Sequence, residues 1–166
     1  MQRTKPQEID YQEKIGTFTK VLEALQNDEV SAKEKNILLK SIIEKIKTEG
    51  ADSILKTAEV FKNALKNGKN IFLFGTGHSH MLAEELFYRA GGLVQIRPVL
   101  CEPLMLHESA SESTLLERKE GLAQSLFVEY GMGEDDVIVV ISNSGRNGVI
   151  VDMALLCREK GLTVIA

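Results

Sequence analysis

Four short apolar runs, separated by helix-like segments, constrain the fold of this chain more than any other feature. The runs are IFLF after Asn70, LVQIRP ending at Pro98, DVIVVI ending at Ile141, and LTVIA over 162–166. Continuous apolar runs of this length are typical of strands buried on both faces, and strands that alternate with helices pair in parallel. The pattern predicts an α/β three-layer sandwich, a parallel sheet with helices on both faces.

The segments between the runs have helical periodicity. The first, SHMLAEELFYRAGG over 79–92, places four large apolar residues on one side and closes with two glycines. STLLERKEGLAQSLFVEYG over 113–131 predicts one longer helix, and VIVDMALLCREKG predicts another that stops at Gly161.

The first third of the chain has helical periodicity as well. Apolar residues from Tyr11 to Leu25 recur at spacings of three and four, and SAKE at Ser31–Glu34 is a capping box that begins a second helix. A third pattern runs from Ile54 to a stop at Gly68. We therefore predict an N-terminal helical segment, 1–68, that packs on an α/β core over 69–166.

Composition excludes several classes of protein. A net charge of −4 is unfavourable for general binding of nucleic acid or of anionic membranes. The N-terminus has no apolar signal region, and no apolar run approaches the roughly 20 residues of a membrane span. The two cysteines and three histidines have no metal-site spacing. We expect a cytoplasmic protein with no metal site, no nucleic-acid partner and no membrane partner.

Two polar loops follow predicted strands and precede predicted helices. The first is GTGHSH, Gly75–His80, and the second is SNSGRN, Ser142–Asn147. Ligands of open α/β sheets bind outside the carboxyl ends of strands, where helix N-termini favour anions. A phosphate-bearing ligand is therefore the predicted occupant.

The second loop has more hydrogen-bonding side chains than a helix start requires. One Ser or Asn as an N-cap explains one residue of the loop, but SNSGRN contains four candidates. We predict that the remainder hold a phosphate group, and that the first loop closes the site from the other side. The predicted phosphate-binding residues are Ser142, Asn143, Ser144, Asn147, Ser79, Gly77 and His78.

Familiar nucleotide motifs are absent from both loops. Gly75-x-Gly77-x-x-His80 lacks the third glycine of a dinucleotide fingerprint, and no Gly-Lys-Ser/Thr sequence follows either strand. We therefore predict no cofactor.

IFLFGTGHS followed by VIVVISNSGRN resembles the sugar isomerase (SIS) domain. The second signature of that family, roughly Ser-x-Ser-Gly-x-Thr after an apolar strand, corresponds here to Ser142–Asn147, with Asn147 at the usual threonine. Over the whole chain, the resemblance is strongest to a bacterial SIS group often labelled phosphoheptose isomerase.

The resemblance implies a flavodoxin-like sheet, a phosphosugar ligand, and assembly into homodimers or homotetramers. It matches the phosphate loop to Ser142, Asn143 and Ser144, and the serine of the first loop to Ser79. SIS sheets normally have a fifth strand and a closing helix, so we expect this sequence to lack those two elements.

Catalysis by a SIS isomerase requires a base, and related enzymes carry a glutamate ten residues beyond the first-loop serine. Arg89 occupies that position here. His107 and Glu108, in LMLHES, are the pair we predict as acid and base, with Glu117 next. Two functions remain open: a sugar-phosphate aldose–ketose isomerase, and a non-catalytic domain that senses a phosphosugar.

Overall fold

The computed structural model describes residues 30–119 and 121–166, and the chain divides into two compact units, 1–54 and 55–166. In the first unit, helix α1 covers Ala32–Glu49. The predicted capping box is present, since Glu34 N donates to Ser31 Oγ at 3.4 Å and Ser31 N donates to Glu34 Oε2 at 3.0 Å. The Ser31 hydroxyl group also donates to Glu34 Oε2, at 2.6 Å, and this bond together with that from Ser31 N holds the pKa of Glu34 below its usual value. The helix predicted at Tyr11–Leu25 lies outside the described residues.

The other helices and strands follow α1 along the chain. They are α2 (Ala51–Lys66), β1 (Ile71–Gly75), α3 (His80–Leu86), β2 (Ile96–Val99), α4 (Leu106–Leu116), α5 (Leu122–Glu129), β3 (Val137–Ile141), α6 (Gly148–Glu159) and β4 (Thr163–Ile165). A 3₁₀ turn at Gly77–Ser79 leads into α3, and another at Glu102–Leu104 precedes α4.

The described strands form one parallel sheet in the order β2-β1-β3-β4. Ile71 is opposite Ile96 on one side and Val137 on the other. The chain goes from β1 outward to β2 and then returns past β1 to β3, so the winding direction reverses between β1 and β3. This arrangement confirms the predicted α/β sandwich and places the two polar loops at the point of reversal.

Both faces of the sheet are covered. Alternate residues of β1 point to opposite sides, so Phe72 and Phe74 belong to one core cluster and Ile71 and Leu73 to the other. The Phe72 side is covered by α5 and α6, through residues such as Leu126. On the opposite side the cluster includes apolar residues of α2 and α3. Burial on both faces explains why β1 has no polar alternation.

The second strand begins later and ends later than its sequence predicts. Pro98 lies inside β2 and is opposite Leu73, instead of stopping the strand. Because β2 is at the edge of the described sheet, the ladder tolerates a residue without an N–H group. Leu93 and Val94, predicted as strand residues, lie outside β2 and are exposed.

Helix α3 differs most from its prediction. It ends at Leu86, because Phe87 is extended, and it does not continue to the glycines at 91–92. Its buried residues are His80 and Ala83. The four apolar residues expected on one side are exposed instead: Met81, Leu82, Leu86 and Phe87.

The long helix predicted over 113–131 is two helices. Helix α4 begins at Leu106 and ends at Leu116, and α5 begins at Leu122. Gly121 has a φ of 86°, a left-handed conformation that ends helical continuity. The break puts Glu117 at the C-terminal end of α4.

The predicted boundary at residue 68 stays a prediction, as does the packing of 1–68 on the core. Leu55–Lys66 belong to the same compact unit as the sheet, in which Val60, Phe61 and Leu65 pack against the Ile71 side of the core.

Candidate functional site

The two polar loops lie side by side at the carboxyl ends of β1 and β3. These strands are neighbours, and Gly75 is opposite Ile141 at their last paired position. A cavity of about 480 Å³ opens between the loops. It is lined by Thr76, Gly77, His78, Ser79, Leu106, Thr114, Glu117, Ser142, Asn143, Ser144 and Asn147. The structure therefore brings all seven predicted phosphate-binding residues to one cavity.

The β3–α6 loop is held in shape by its own serine hydroxyls. Gly145 N donates to Ser142 Oγ at 3.0 Å, and Arg146 N donates to Ser144 Oγ at 3.4 Å. Gly145 has a φ of 62°, which suits a residue without a side chain. Each hydroxyl acts as an acceptor in these bonds, so its proton is still available to a ligand oxygen.

Helix capping does not account for the side chains of this loop. Asn147 is the N-cap residue of α6, yet its side chain makes no capping hydrogen bond. Of the first-turn amides, Val149 N donates to Glu117 O at 3.2 Å, while Ile150 N and Val151 N donate to Asn147 O. The donor groups on the side chains of Ser142, Ser144 and Asn147 are therefore not used to cap α6, and they can bind a ligand.

The β1–α3 loop is wound more tightly. A Cβ atom on Gly75 would lie 2.8 Å from the backbone carbon and oxygen of Ser79, so the turn requires glycine there. Ser79 N donates to Thr76 O at 3.0 Å. The buried imidazole of His80 bonds through Nδ1 to Gly77 O, which fixes the orientation of that carbonyl group.

Glu117 is the one predicted acid/base residue that lines the cavity. Thr76 Oγ1 donates to Glu117 Oε2 at 3.2 Å. Glu117 N donates to Ser113 O at 2.9 Å, so the residue continues the helical bonding of α4. A carboxylate held in this way can exchange a proton with a bound molecule.

His107 and Glu108 lie beside this cavity rather than in its lining. Their side chains are exposed, and His107 Nε2 is 3.6 Å from Glu108 Oε1. His107 lines an adjoining cavity of about 280 Å³ together with His78, His80, Met81, Glu84 and Leu106. The rings of His80 and His107 are 5.8 Å apart in that wall. The sharing of His78 and Leu106 places the two cavities next to each other.

Arg89 lies beyond the end of α3 and does not line either cavity. Its guanidinium group pairs with Glu85 on the protein surface. Glu84, one residue earlier, lines the adjoining cavity, and its Oε1 is 3.4 Å from His80 Nε2. Of the two adjacent glutamates, Glu84 is the one on the side of the candidate site.

Sequence reasoning did not identify Thr76, Leu106 and Thr114 as lining residues. The position of Thr76, directly after a buried strand, is a usable signal, because the carboxyl end of a strand is where ligands bind. Leu106 and Thr114 have no comparable signal, since their place in the wall depends on α4, whose start the sequence pattern did not reveal.

Over residues 30–119 and 121–166, no three His, Cys, Asp or Glu side chains are grouped so that they could hold a metal ion. In the same part of the chain, no helix has both the length and the apolar character needed to cross a bilayer.

Comparison with known proteins identifies the family. Residues 38–166 match the family model described as the SIS domain. The chain is 50% identical over 115 residues to a UPF0309 protein of Geobacillus kaustophilus, covering 69% of this chain and 46% of the relative. It is 48% identical over 148 residues to a UPF0309 protein of Halalkalibacterium halodurans, covering 89% and 52% respectively. The chain spans about half the length of the curated relatives it matches. With a match over most of its described length, it belongs to the SIS domain family.

Proposed function

We propose that the protein binds a sugar phosphate in the cavity between the β1–α3 and β3–α6 loops and interconverts its aldose and ketose forms. The observation that carries the proposal is the convergence of Ser79, Ser142, Ser144 and Asn147 on one cavity, with the carboxylate of Glu117 in the same wall. Membership of the SIS family supports a phosphosugar as the ligand.

The charges around the cavity suit a ligand with an anionic end and a neutral end. Apart from His78 and Glu117, the lining side chains are uncharged. Hydroxyl and amide donors bind phosphate oxygens without the need for a positive side chain, and the N-terminus of α6 adds a favourable dipole. A carboxylate repels phosphate, so we assign Glu117 to the sugar carbons and the serines to the phosphate.

The reaction that fits this division is a proton transfer between adjacent carbons. Glu117 removes the proton from C2 of the aldose while O1 gains a proton, which leaves an enediol. Glu117 then returns a proton to C1 while the O2 hydroxyl loses its proton. The overall composition of the sugar is unchanged. His107, in the adjoining cavity, is the group we assign to proton exchange at the oxygens.

Thermal shift with a panel of sugar phosphates and the matching unphosphorylated sugars tests the binding step. A ligand at a hundred times its dissociation constant adds about 2.7 kcal/mol to the free energy of unfolding. We expect a shift that depends on the phosphate group and that Ser144→Ala reduces. Ser125→Ala, an exposed serine on α5, is the matched control and should leave the shift unchanged. Equal shifts for Ser144→Ala and the unmutated protein would exclude Ser144 from the phosphate site.

A second function is favoured by one observation, the surface position of Arg89 where related enzymes carry a glutamate. The alternative is a non-catalytic domain that senses a phosphosugar and regulates a partner. Exchange of the C2 proton of the bound sugar phosphate with solvent separates the two functions. An isomerase incorporates deuterium from D₂O into the recovered sugar, whereas a sensor binds the same sugar and leaves it unlabelled.

We also propose that copies of the chain pair through α3 and the segment after it. This region exposes several large apolar side chains: Met81, Leu82, Leu86, Phe87, Tyr88, Leu93 and Val94. Exposed apolar residues concentrated in one region are typical of interaction surfaces. Sedimentation at micromolar concentration should give a dimer or tetramer, and Leu86→Glu should shift it toward monomer. A monomer before mutation would contradict the proposal.

A further inference from the structure

We infer that Thr76 is a positioning residue that orients Glu117 for proton transfer; this inference rests on the proposed isomerase function. Thr76 is 7% exposed and immediately follows β1. Its hydroxyl group donates to one oxygen of the Glu117 carboxylate, Oε2, at 3.2 Å. The bond joins residues 41 positions apart in the sequence, so it exists only when the two segments are folded together.

The Thr76 hydroxyl is fixed in space by the main chain on which it stands. The residue continues the extended backbone of β1, with φ of −113° and ψ of 162°. Its carbonyl oxygen accepts from Ser79 N at 3.0 Å, which ties it to the 3₁₀ turn of the first loop. Because the β-branched side chain of threonine has few rotamers, a fixed backbone also fixes the direction of Oγ1.

Glu117 is fixed at its backbone from another direction. Its carbonyl oxygen accepts from Val149 N in the first turn of α6 at 3.2 Å. A glutamate side chain on a fixed backbone still rotates about three bonds, and the Thr76 bond is what selects one orientation toward the cavity. Among the described residues, the hydrogen bonding of this carboxylate involves Oε2, which leaves Oε1 to face a ligand.

The two oxygens of Glu117 would therefore have different tasks. Oε2 accepts a hydrogen bond from the Thr76 hydroxyl group, which holds the plane of the carboxylate, while Oε1 takes the proton from C2 and returns one to C1. Misplacement of a reacting group by about 1 Å can cost 100-fold in rate. Loss of the Thr76 bond should accordingly lower turnover and leave phosphate binding, which the serines provide, nearly unchanged.

Two variants of Thr76 distinguish the role of its hydroxyl group in orienting Glu117 from the role of its side-chain shape in packing. Thr76→Val keeps the branched outline and removes the hydroxyl group, whereas Thr76→Ser keeps the hydroxyl group and removes the methyl group. Thr163 is an exposed residue of β4, so Thr163→Val makes the same chemical change away from the site and is the control. Deuterium exchange at C2 and the Kd for the same sugar phosphate are measured for all four proteins, including the unmutated one.

The inference predicts a 10- to 100-fold lower exchange rate in Thr76→Val, with Kd changed less than threefold, on the scale expected for a misplaced base. Thr76→Ser should keep most of the rate, and Thr163→Val all of it. Equal losses in the Val and Ser variants, or a loss confined to Kd, would overturn the positioning role in favour of packing or phosphate contact. Undiminished exchange in Thr76→Val overturns it as well. No exchange by the unmutated protein overturns the isomerase proposal and this role together, so the two failures are distinguishable.

Discussion

The two loops that form the candidate site reach their shapes by different means. The β1–α3 loop is shaped by contacts with the interior, since Gly75 lies against the backbone of Ser79 and the ring of His80 is buried beneath Gly77. The β3–α6 loop is mostly exposed and is shaped by hydrogen bonds from its own amides to Ser142 and Ser144.

This difference in how the two loops are held predicts different effects of substitutions in each. A loop held by the core cannot change its residues without a loss of stability, whereas a loop held by its own short bonds contributes little to folding. Substitutions of Gly75 and His80, which pack the first loop, should therefore act mainly on the free energy of unfolding, and substitutions in the second loop mainly on ligand affinity.

The largest expected effect is that of Gly75→Ala. The added Cβ would meet backbone atoms of Ser79 at 2.8 Å, and these cannot move without opening the turn. We expect a loss of about 3 kcal/mol in the free energy of unfolding, measured by urea denaturation. Gly133→Ala is the control, because the nearest atom to its Cβ would be a carboxylate oxygen at 3.9 Å. Similar costs for both substitutions would contradict the tight packing of the first loop.

His80 tests whether the first loop depends on one hydrogen bond. His80→Gln removes the donor at the Nδ1 position, leaves Gly77 O without its partner, and should cost about 2 kcal/mol. His80→Asn places an amide donor near the original Nδ1 and should recover part of that loss. Both are measured by the midpoint of urea unfolding. If His80→Asn and His80→Gln lowered the free energy of unfolding equally, the hydrogen bond to Gly77 O would not be what stabilises the first loop.

Gly145→Ala should have a smaller effect on the second loop. The added Cβ meets no atom within 4 Å, so the cost arises only from the left-handed φ of 62°. We expect about 1 kcal/mol, measured by thermal unfolding. The same variant should weaken binding of the sugar phosphate, because a shifted amide at position 145 no longer orients the Ser142 hydroxyl group. A cost as large as that of Gly75→Ala would remove the contrast between the loops.

Ser142→Ala should show the smallest change in the free energy of unfolding, within about 0.5 kcal/mol, since the hydrogen bond that Ser142 Oγ accepts from Gly145 N lies in an exposed turn. Its affinity for the sugar phosphate should nevertheless fall about tenfold, as expected for a lost hydrogen bond to a charged group. Calorimetric titration measures the affinity, and thermal unfolding of the free protein measures the stability. If Ser142→Ala changed the free energy of unfolding and left the affinity unchanged, Ser142 would have a structural role and not a ligand-binding one.

The sequence predicted the strands, their parallel pairing and the gathering of both loops because these features depend on local pattern and on general rules of α/β topology. It did not predict the exposed apolar residues of α3. Periodicity shows that Leu82 and Leu86, four residues apart, share a side, but whether that side meets the sheet depends on the docking of the whole helix.

The site was predicted in part for the same reason. Ser142 and Ser144 stand out because a strand leads directly to them, whereas the position of Glu117 depends on a helix break before Gly121 that helical propensity does not reveal.

The bond between Val149 N and Glu117 O has a thermodynamic consequence for ligand binding. It joins the end of α4 to the start of α6, and a Cβ on Gly148 would lie only 3.1 Å from Arg118 O, so the two segments are in close contact. The conformational entropy of bringing the carboxylate to the β3–α6 loop is therefore lost during folding. A ligand that enters this cavity meets groups already in place, and more of its interaction free energy is expressed as affinity.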